Sequence, residues 1–123
     1  MIKVIVESPC AGNTERNLAY ARACMRDCLI RGEAPFAPHA LYAQTGVLDG
    51  LNPTQRSMGI SAGLEWTSVA DKIAVYTDFG ISYGMQYGIE VAEEHGRLIE
   101  YRTLPYDLMC AVLPSKDQEH ASI

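Results

Sequence analysis

Asp78, Gly80, Ser82 and Gly84 fall within seven residues, in a polar corner between an apolar run and a helical pattern. A carboxylate at such a strand end either accepts two hydroxyls of a sugar or caps the next turn. Ser82 either donates to a phosphate or caps the helix that follows it. A second corner, Glu7-Ser8-Pro9-Cys10-Ala11-Gly12, precedes Asn13, which opens another helical stretch. Two helix starts with free N–H groups favour an anion such as a phosphate, and Gly12 and Gly84 let a ligand approach the backbone. Glu7 faces either this crevice or solvent. His39, after Pro38, either meets a phosphate or acts as an acid, or else bonds to nearby backbone. Tyr42, Tyr83 and Tyr87 either stack on a base or pack structurally, and Arg102 serves either an anion or a neighbouring acid. Glu65 and Trp66, near a helix end, read as surface and packing.

Other chemistries lack their patterns. The glycines match neither a dinucleotide fingerprint nor a P-loop, because no Gly-Lys-Ser/Thr occurs. There is no Gly-x-Ser-x-Gly elbow for a serine nucleophile. No His, Asp or Glu cluster has metal-ligand spacing, so neither a metal nor another cofactor is expected. Cys10, Cys24, Cys28 and Cys110 form no two-pair zinc pattern; Cys24 and Cys28, four apart in a helical stretch, read as small core residues in a reducing compartment rather than as a disulfide or a zinc half-site.

The elements that must position these residues alternate. Ile2 to Val6 is a near-continuous apolar strand, the pattern of a strand covered on both faces. A helix follows from Asn13 or Thr14, with Leu18, Ala21, Met25, Cys28 and Leu29 at helical spacing and Gly32 placed to end it. Glu33 to Ala37 is a short strand, and residues 39 to 51 are an irregular loop with room for one helical turn. Asn52-Pro53 starts a third segment, helical to about Val69. Its Gly59 and Gly63 leave a smooth face for a neighbouring element or a second subunit. A strand from Lys72 to Thr77, a helix from Tyr83 to His95 and a strand from Arg97 to Arg102 complete the pattern. Pro105 to Leu113 reads as a short final helix and Ser115 to Ile123 as a frayed tail, an extension after a domain at 1–104.

That order predicts an α/β fold: a three-layer, Rossmann-like parallel sheet with flavodoxin-like order 2-1-3-4 and helices on both faces. Ligands in such sheets bind beyond the carboxyl ends of the strands, where the order reverses. Ser8 to Gly12, His39 and Asp78 to Gly84 converge there.

Composition limits the partners. The chain has 123 residues, 48% of them hydrophobic and 20% charged, which fits one soluble globular domain. A net charge of −5 leaves no basic footprint for nucleic acid. No apolar run approaches the roughly 20 residues of a membrane helix, and the opening run is too short for a signal peptide, so a cytoplasmic location is expected.

Three stretches carry a family likeness: Ser8-Pro-Cys-Ala-Gly-Asn-Thr-Glu-Arg-Asn17, Ala34-Pro-Phe-Ala-Pro-His39, and Asp78-Phe-Gly-Ile-Ser-Tyr-Gly-Met85 followed by Ala92. Over roughly residues 2 to 103 the sequence resembles the nucleoside 2-deoxyribosyltransferase-like superfamily, and within it a small phage- and prophage-associated branch of uncharacterised function. The resemblance implies a homo-oligomeric Rossmann-like protein, a dimer or larger, that binds nucleosides or nucleotides in the host cytoplasm. It implies a ligand site of Ser8, Pro9, Gly12, Asn13, His39, Asp78, Gly80, Ser82, Gly84, Met85 and Gly88. It also implies cleavage or exchange of N-glycosidic bonds, with Asp78 at the sugar and a helix glutamate at the anomeric carbon.

That glutamate should stand four residues before Ala92, where this chain has Gly88. Glu90 lies ~200° away around a helix of 3.6 residues per turn, in line with Gln86, Glu93 and Glu94 on a solvated stripe. N-glycosidic cleavage passes through a cationic sugar that a carboxylate stabilises. The leading expectation is therefore a nucleotide-binding protein without turnover, one that sequesters a signalling nucleotide such as an ADP-ribose derivative as a phage anti-defence device. The alternatives are an N-glycosidase or deoxyribosyltransferase whose acid comes from elsewhere, Glu7 included, and an interaction protein with a vestigial pocket.

Overall fold

A computed structural model describes residues 1–113. The expected frayed tail lies outside those residues. Its elements run β1 Lys3–Glu7, α1 Thr14–Ile30, β2 Ala34–Phe36, α2 Pro38–Tyr42, α3 Pro53–Glu65 with a 3₁₀ turn at Trp66–Ser68, β3 Lys72–Tyr76, α4 Tyr83–Glu94, β4 Leu98–Arg102 and α5 Tyr106–Cys110. The four strands pair in parallel in the order β2-β1-β3-β4, as the alternation of elements predicts. No helix among the described residues is long and apolar enough to cross a membrane.

Side chains alternate across a strand, so β1 and β3 feed two separate cores. Val4, Val6, Ala74 and Tyr76 pack with Tyr20, Cys24 and Cys28 of α1 and with Leu108 of α5. Ile5, Ile73 and Val75 pack with Met85, Ile89 and Ala92 of α4. This is the double cover that the unbroken apolar run of β1 requires.

Several local expectations need correction. The buried stripe of α1 is Tyr20, Ala21, Cys24 and Cys28 with Asn17 and Asp27, and Leu29 is 61% exposed. The polar members of that stripe are held by hydrogen bonds: Tyr76 Oη donates to Asp27 at 2.7 Å, so Asp27 is a core residue despite its charge. Helix α3 stops at Glu65, short of Val69, and contributes no buried side chain. Without a buried face, no apolar periodicity marks its end. Gly59 and Gly63 serve an approach within the chain, since a β-carbon at 63 would stand 3.0 Å from Pro38 and one at 59 would stand 2.9 Å from Leu48.

Arg102 turns to acidic neighbours. Its guanidinium grips Glu33 with two bonds of 2.7 and 2.8 Å and meets Glu100 at 2.7 Å, while Lys72 bridges the same two carboxylates. Those cations hold the Glu33 carboxyl down at about 2, well below the usual carboxylate range.

Candidate functional site

The carboxyl ends of the strands bring three polar groupings to the same end of the sheet, each built by a different part of the fold. The first is Glu7. As the residue two beyond Ile5, it continues the β1 face covered by α4. There its carboxyl group lies against Gly88: a β-carbon at 88 would stand 2.8 Å from Glu7 Cδ and 3.1 Å from Oε2. Real β-carbons do not come so close, so with glycine at 88 the glutamate end lies here undisturbed, whereas a side chain at 88 would make that flexible end shift. Burial alone pushes the Glu7 carboxyl up to about 8, because no donor or cation among the described residues stabilises its charge. Its oxygens are nevertheless not sealed off, since Arg97 Nε is the one fully buried, unbonded side-chain nitrogen or oxygen among the described residues.

The second grouping is Ser8 and His39. Ser8 follows β1 and is buried, and His39 sits in the first turn of α2, directly after β2. Their Oγ and Nε2 atoms are 2.7 Å apart across 31 residues of sequence. Burial pushes the imidazole down to about 4, so it is neutral at physiological pH.

The third is Asp78. It continues the Ala74–Tyr76 face of β3, the side covered by α1. Tyr20 Oη donates to its carboxylate at 2.6 Å, and the Leu104 amide donates to both carboxylate oxygens at 3.1 and 3.3 Å. The Asp78 amide in turn donates to Tyr20 Oη at 3.0 Å. The residue expected to hold a sugar thus already accepts from two protein donors, on the opposite face of the sheet from Glu7. Its job in this structure is to tie α1, the β3 corner and the segment after β4 together.

The helix starts are capped by the chain itself. Asn13 accepts from the Arg16 amide at 3.1 Å, and Ser82 accepts from the Met85 amide at 3.2 Å. Met85 takes no part in a pocket: it is 1% exposed, and its sulfur accepts from the Ser82 amide at 3.4 Å. Helical geometry turns Met85 onto the same inward face as Ile89, which makes it core. Gly12 and Gly80 have φ of +97° and +81°, the left-handed region that suits glycine at these tight corners. Pro9 is buried, whereas Gly84 has open space where a side chain would begin.

Tyr83 is 94% exposed and Tyr87 half exposed, while Tyr42 Oη accepts from Trp66 Nε1 at 2.9 Å. Glu90 is exposed on the solvated stripe of α4, as its position on the helix predicts. Two open cavities lie elsewhere: one of about 490 Å³ at the loop of Thr45 to Gly50, another of about 300 Å³ between α1 and α5. Neither is lined by a residue of the three groupings.

Sequence reasoning missed two participants. Tyr20 is the partner of Asp78, and its one available signal was a tyrosine on the helix face next to Ala21. Arg16 lays its guanidinium over the Phe79 ring at 4.2 Å and reaches Asn17 Oδ1 at 3.1 Å, so it is fixed against the corner after β3. Its place in the first turn of α1 was legible, but the stacking across 63 residues was not.

The chain belongs to the family of domains of unknown function DUF7768, whose model matches residues 2–102. No curated protein matches it. Among solved structures it is similar to a 2-deoxyribosyltransferase from the psychrotolerant bacterium Bacillus psychrosaccharolyticus, with 17% sequence identity and a TM-score of 0.58. The alignment covers 82% of this chain and 72% of that one. At that identity the likeness establishes the shared α/β fold.

Proposed function

We propose that this chain binds a nucleoside or nucleotide and acts on its N-glycosidic bond, with Glu7 as the carboxylate at the anomeric carbon. One observation carries this reading: the Glu7 carboxyl group occupies the space beside Gly88. The resemblance calls for a glutamate at position 88; here strand β1 brings a glutamate to the same helix turn, and position 88 has given up its side chain to receive it. The reason for expecting no turnover was the missing acid, and Glu7 removes that reason.

The chemistry follows from the charge changes. The bond between the anomeric carbon and the base nitrogen breaks with its electron pair leaving on the base, which takes up a proton from solvent that the displacing water or incoming base later returns. The sugar carbon becomes electron-poor, and the ionised Glu7 stabilises it by adding an oxygen to it. Water then displaces the carboxylate in hydrolysis, or a second base does so in transfer. Since burial holds the free-site Glu7 at about 8, its ionised fraction grows with pH, reaches half at about that value and saturates above it. The cationic centre of the reacting sugar is itself a partner that favours ionisation.

Binding without turnover, as in sequestration of a signalling nucleotide such as an ADP-ribose derivative by a phage protein, is the second reading. The commitment of Asp78 to Tyr20 and Leu104 favours it, because the carboxylate assigned to the sugar already accepts from two protein donors. In either reading residues 1–104 form the ligand-handling unit, the segment after Leu104 is an extension, and the protein works as a cytoplasmic homo-oligomer of phage or prophage origin.

A thermal-shift screen of nucleosides and nucleotides, followed by chromatography of each hit, tests the choice. Release of free base supports the enzyme, and recovery of intact ligand supports sequestration. A complete lack of shifts contradicts both and leaves the vestigial-pocket reading.

A further inference from the structure

The Ser8–His39 pair plays no part in the reaction just described, yet the direction of its hydrogen bond follows from its surroundings. Ser8 is 3% exposed, and His39 Nε2 is the one partner of its hydroxyl among the described residues. A neutral imidazole has one N–H and one bare nitrogen, and a hydroxyl has a single proton to give. Were Nε2 protonated, the serine proton would be left in a buried place without an acceptor. With Ser8 Oγ donating to a bare Nε2, both groups are satisfied, and the ring proton sits on Nδ1.

Nδ1 has no partner among the described residues, and it is not among the atoms sealed from solvent. His39 sits in the first turn of α2 at the carboxyl end of β2, where its ring meets the residue that follows Glu7. From this geometry we infer that His39 presents an Nδ1–H donor to the ligand crevice and selects an uncharged acceptor, a ring nitrogen or carbonyl oxygen of a nucleobase. Ser8 is the positioning residue that fixes the tautomer. The ligand class rests on the nucleoside reading above, whereas the tautomer does not. A neutral ring suits this role better than a phosphate contact, because it brings no charge to an anion, and burial keeps the imidazole neutral throughout the physiological range.

The test has two arms. In histidine-¹⁵N-labelled protein, two-dimensional NMR should show His39 protonated at Nδ1 and bare at Nε2, and Ser8→Ala should abolish that preference. An Nε2–H form in the wild type, or an unchanged tautomer in Ser8→Ala, overturns the assignment. In the second arm, binding of purine and pyrimidine nucleosides and their monophosphates is compared for His39→Asn and His39→Gln, after melting curves show that both variants fold. Asparagine places its amide donor near Nδ1 and glutamine near Nε2. Affinity in His39→Asn should stay close to wild type, with a loss of about tenfold or more in His39→Gln. Equal losses in the two variants overturn the donor role. If the wild type binds no member of the panel, the nucleoside reading itself fails, while the spectra still judge the tautomer.

Discussion

The carboxyl carbon of Glu7 stands 2.8 Å from the point where a β-carbon at residue 88 would begin, so β1 and α4 share one side-chain volume between two positions. Gly88→Ala forces that volume to hold both groups. In the wild type the flexible Glu7 end must move aside, and the fold should be destabilised by about 1 kcal/mol, the low end of overpacking. In a Glu7→Ala background the clash is gone, and the same substitution should stabilise by roughly 0.5–1 kcal/mol, the helix preference of alanine over glycine. Urea denaturation of the four proteins reads the change of sign. A stabilising Gly88→Ala in both backgrounds would mean that Glu7 is not held there.

Glu7 also makes stability depend on pH. Its folded value of about 8 lies above its ordinary 4.5, so the folded state binds the proton more tightly than the unfolded chain. The contribution of the protonated group is complete below about 4.5 and is lost as pH rises to about 8. Glu7→Gln removes the ionisable group, so its advantage over wild type should grow across that window by up to about 1.4 kcal/mol per pH unit, then level off. Unfolding at pH 5, 7 and 8.5 measures it. Parallel curves for the two proteins would place the carboxyl group in water.

Much of this arrangement was legible in the residues. The apolar run of β1, the Asn13 and Asn52-Pro53 helix starts and the short connections were enough for the strand order, because a parallel sheet with right-handed crossovers leaves few alternatives. That the corners after β1 and β3 stand at the same end of the sheet was legible for the same reason. What each corner does was not. Ser8 and His39 meet across 31 residues, and Tyr20 and Asp78 across 58, and no local pattern encodes such pairings. Glu7 sat in plain view two residues after Ile5, but its destination depends on Gly88 leaving room, which is a property of two elements together. Met85 misled in the other direction: proximity in sequence to Ser82 and Gly84 placed it in the site, while helical rotation turned it into the core.

The Tyr20–Asp78 pair should behave as a structural latch. Asp78→Asn, Tyr20→Phe and the double variant form a cycle whose coupling should be about 1–2 kcal/mol, as for a part-buried hydrogen bond to a carboxyl group. Because Asp78 also receives the Leu104 amide, hydrogen exchange at Leu104 should accelerate in Asp78→Ala. An unchanged Leu104 amide together with additive single effects would release Asp78 for the sugar.

The Glu33–Arg102 pair governs the acid side. The folded Glu33 value of about 2 lies below the ordinary 4.5, so the stability it provides is present above about 4.5 and is lost as pH falls through about 2. Glu33→Gln should flatten that acid limb. Arg102→Ala, which leaves Glu33 buried beside Lys72 alone, should cost about 3–5 kcal/mol at neutral pH. Acid denaturation followed by circular dichroism checks the first, and urea denaturation the second. An acid limb of the same shape in Glu33→Gln would assign it to other carboxylates.

The identity of Glu7 as the reacting carboxylate is tested by base release from nucleoside monophosphates, followed by chromatography for wild type and Glu7→Gln between pH 6 and 9. The wild type should liberate free base at a rate that rises with pH, is half-maximal near 8 and levels off above it, while Glu7→Gln should fold, melt no lower than wild type and release none. Base release that survives Glu7→Gln undiminished would contradict the assignment. So would a wild-type protein that binds the same nucleotides and returns every one intact.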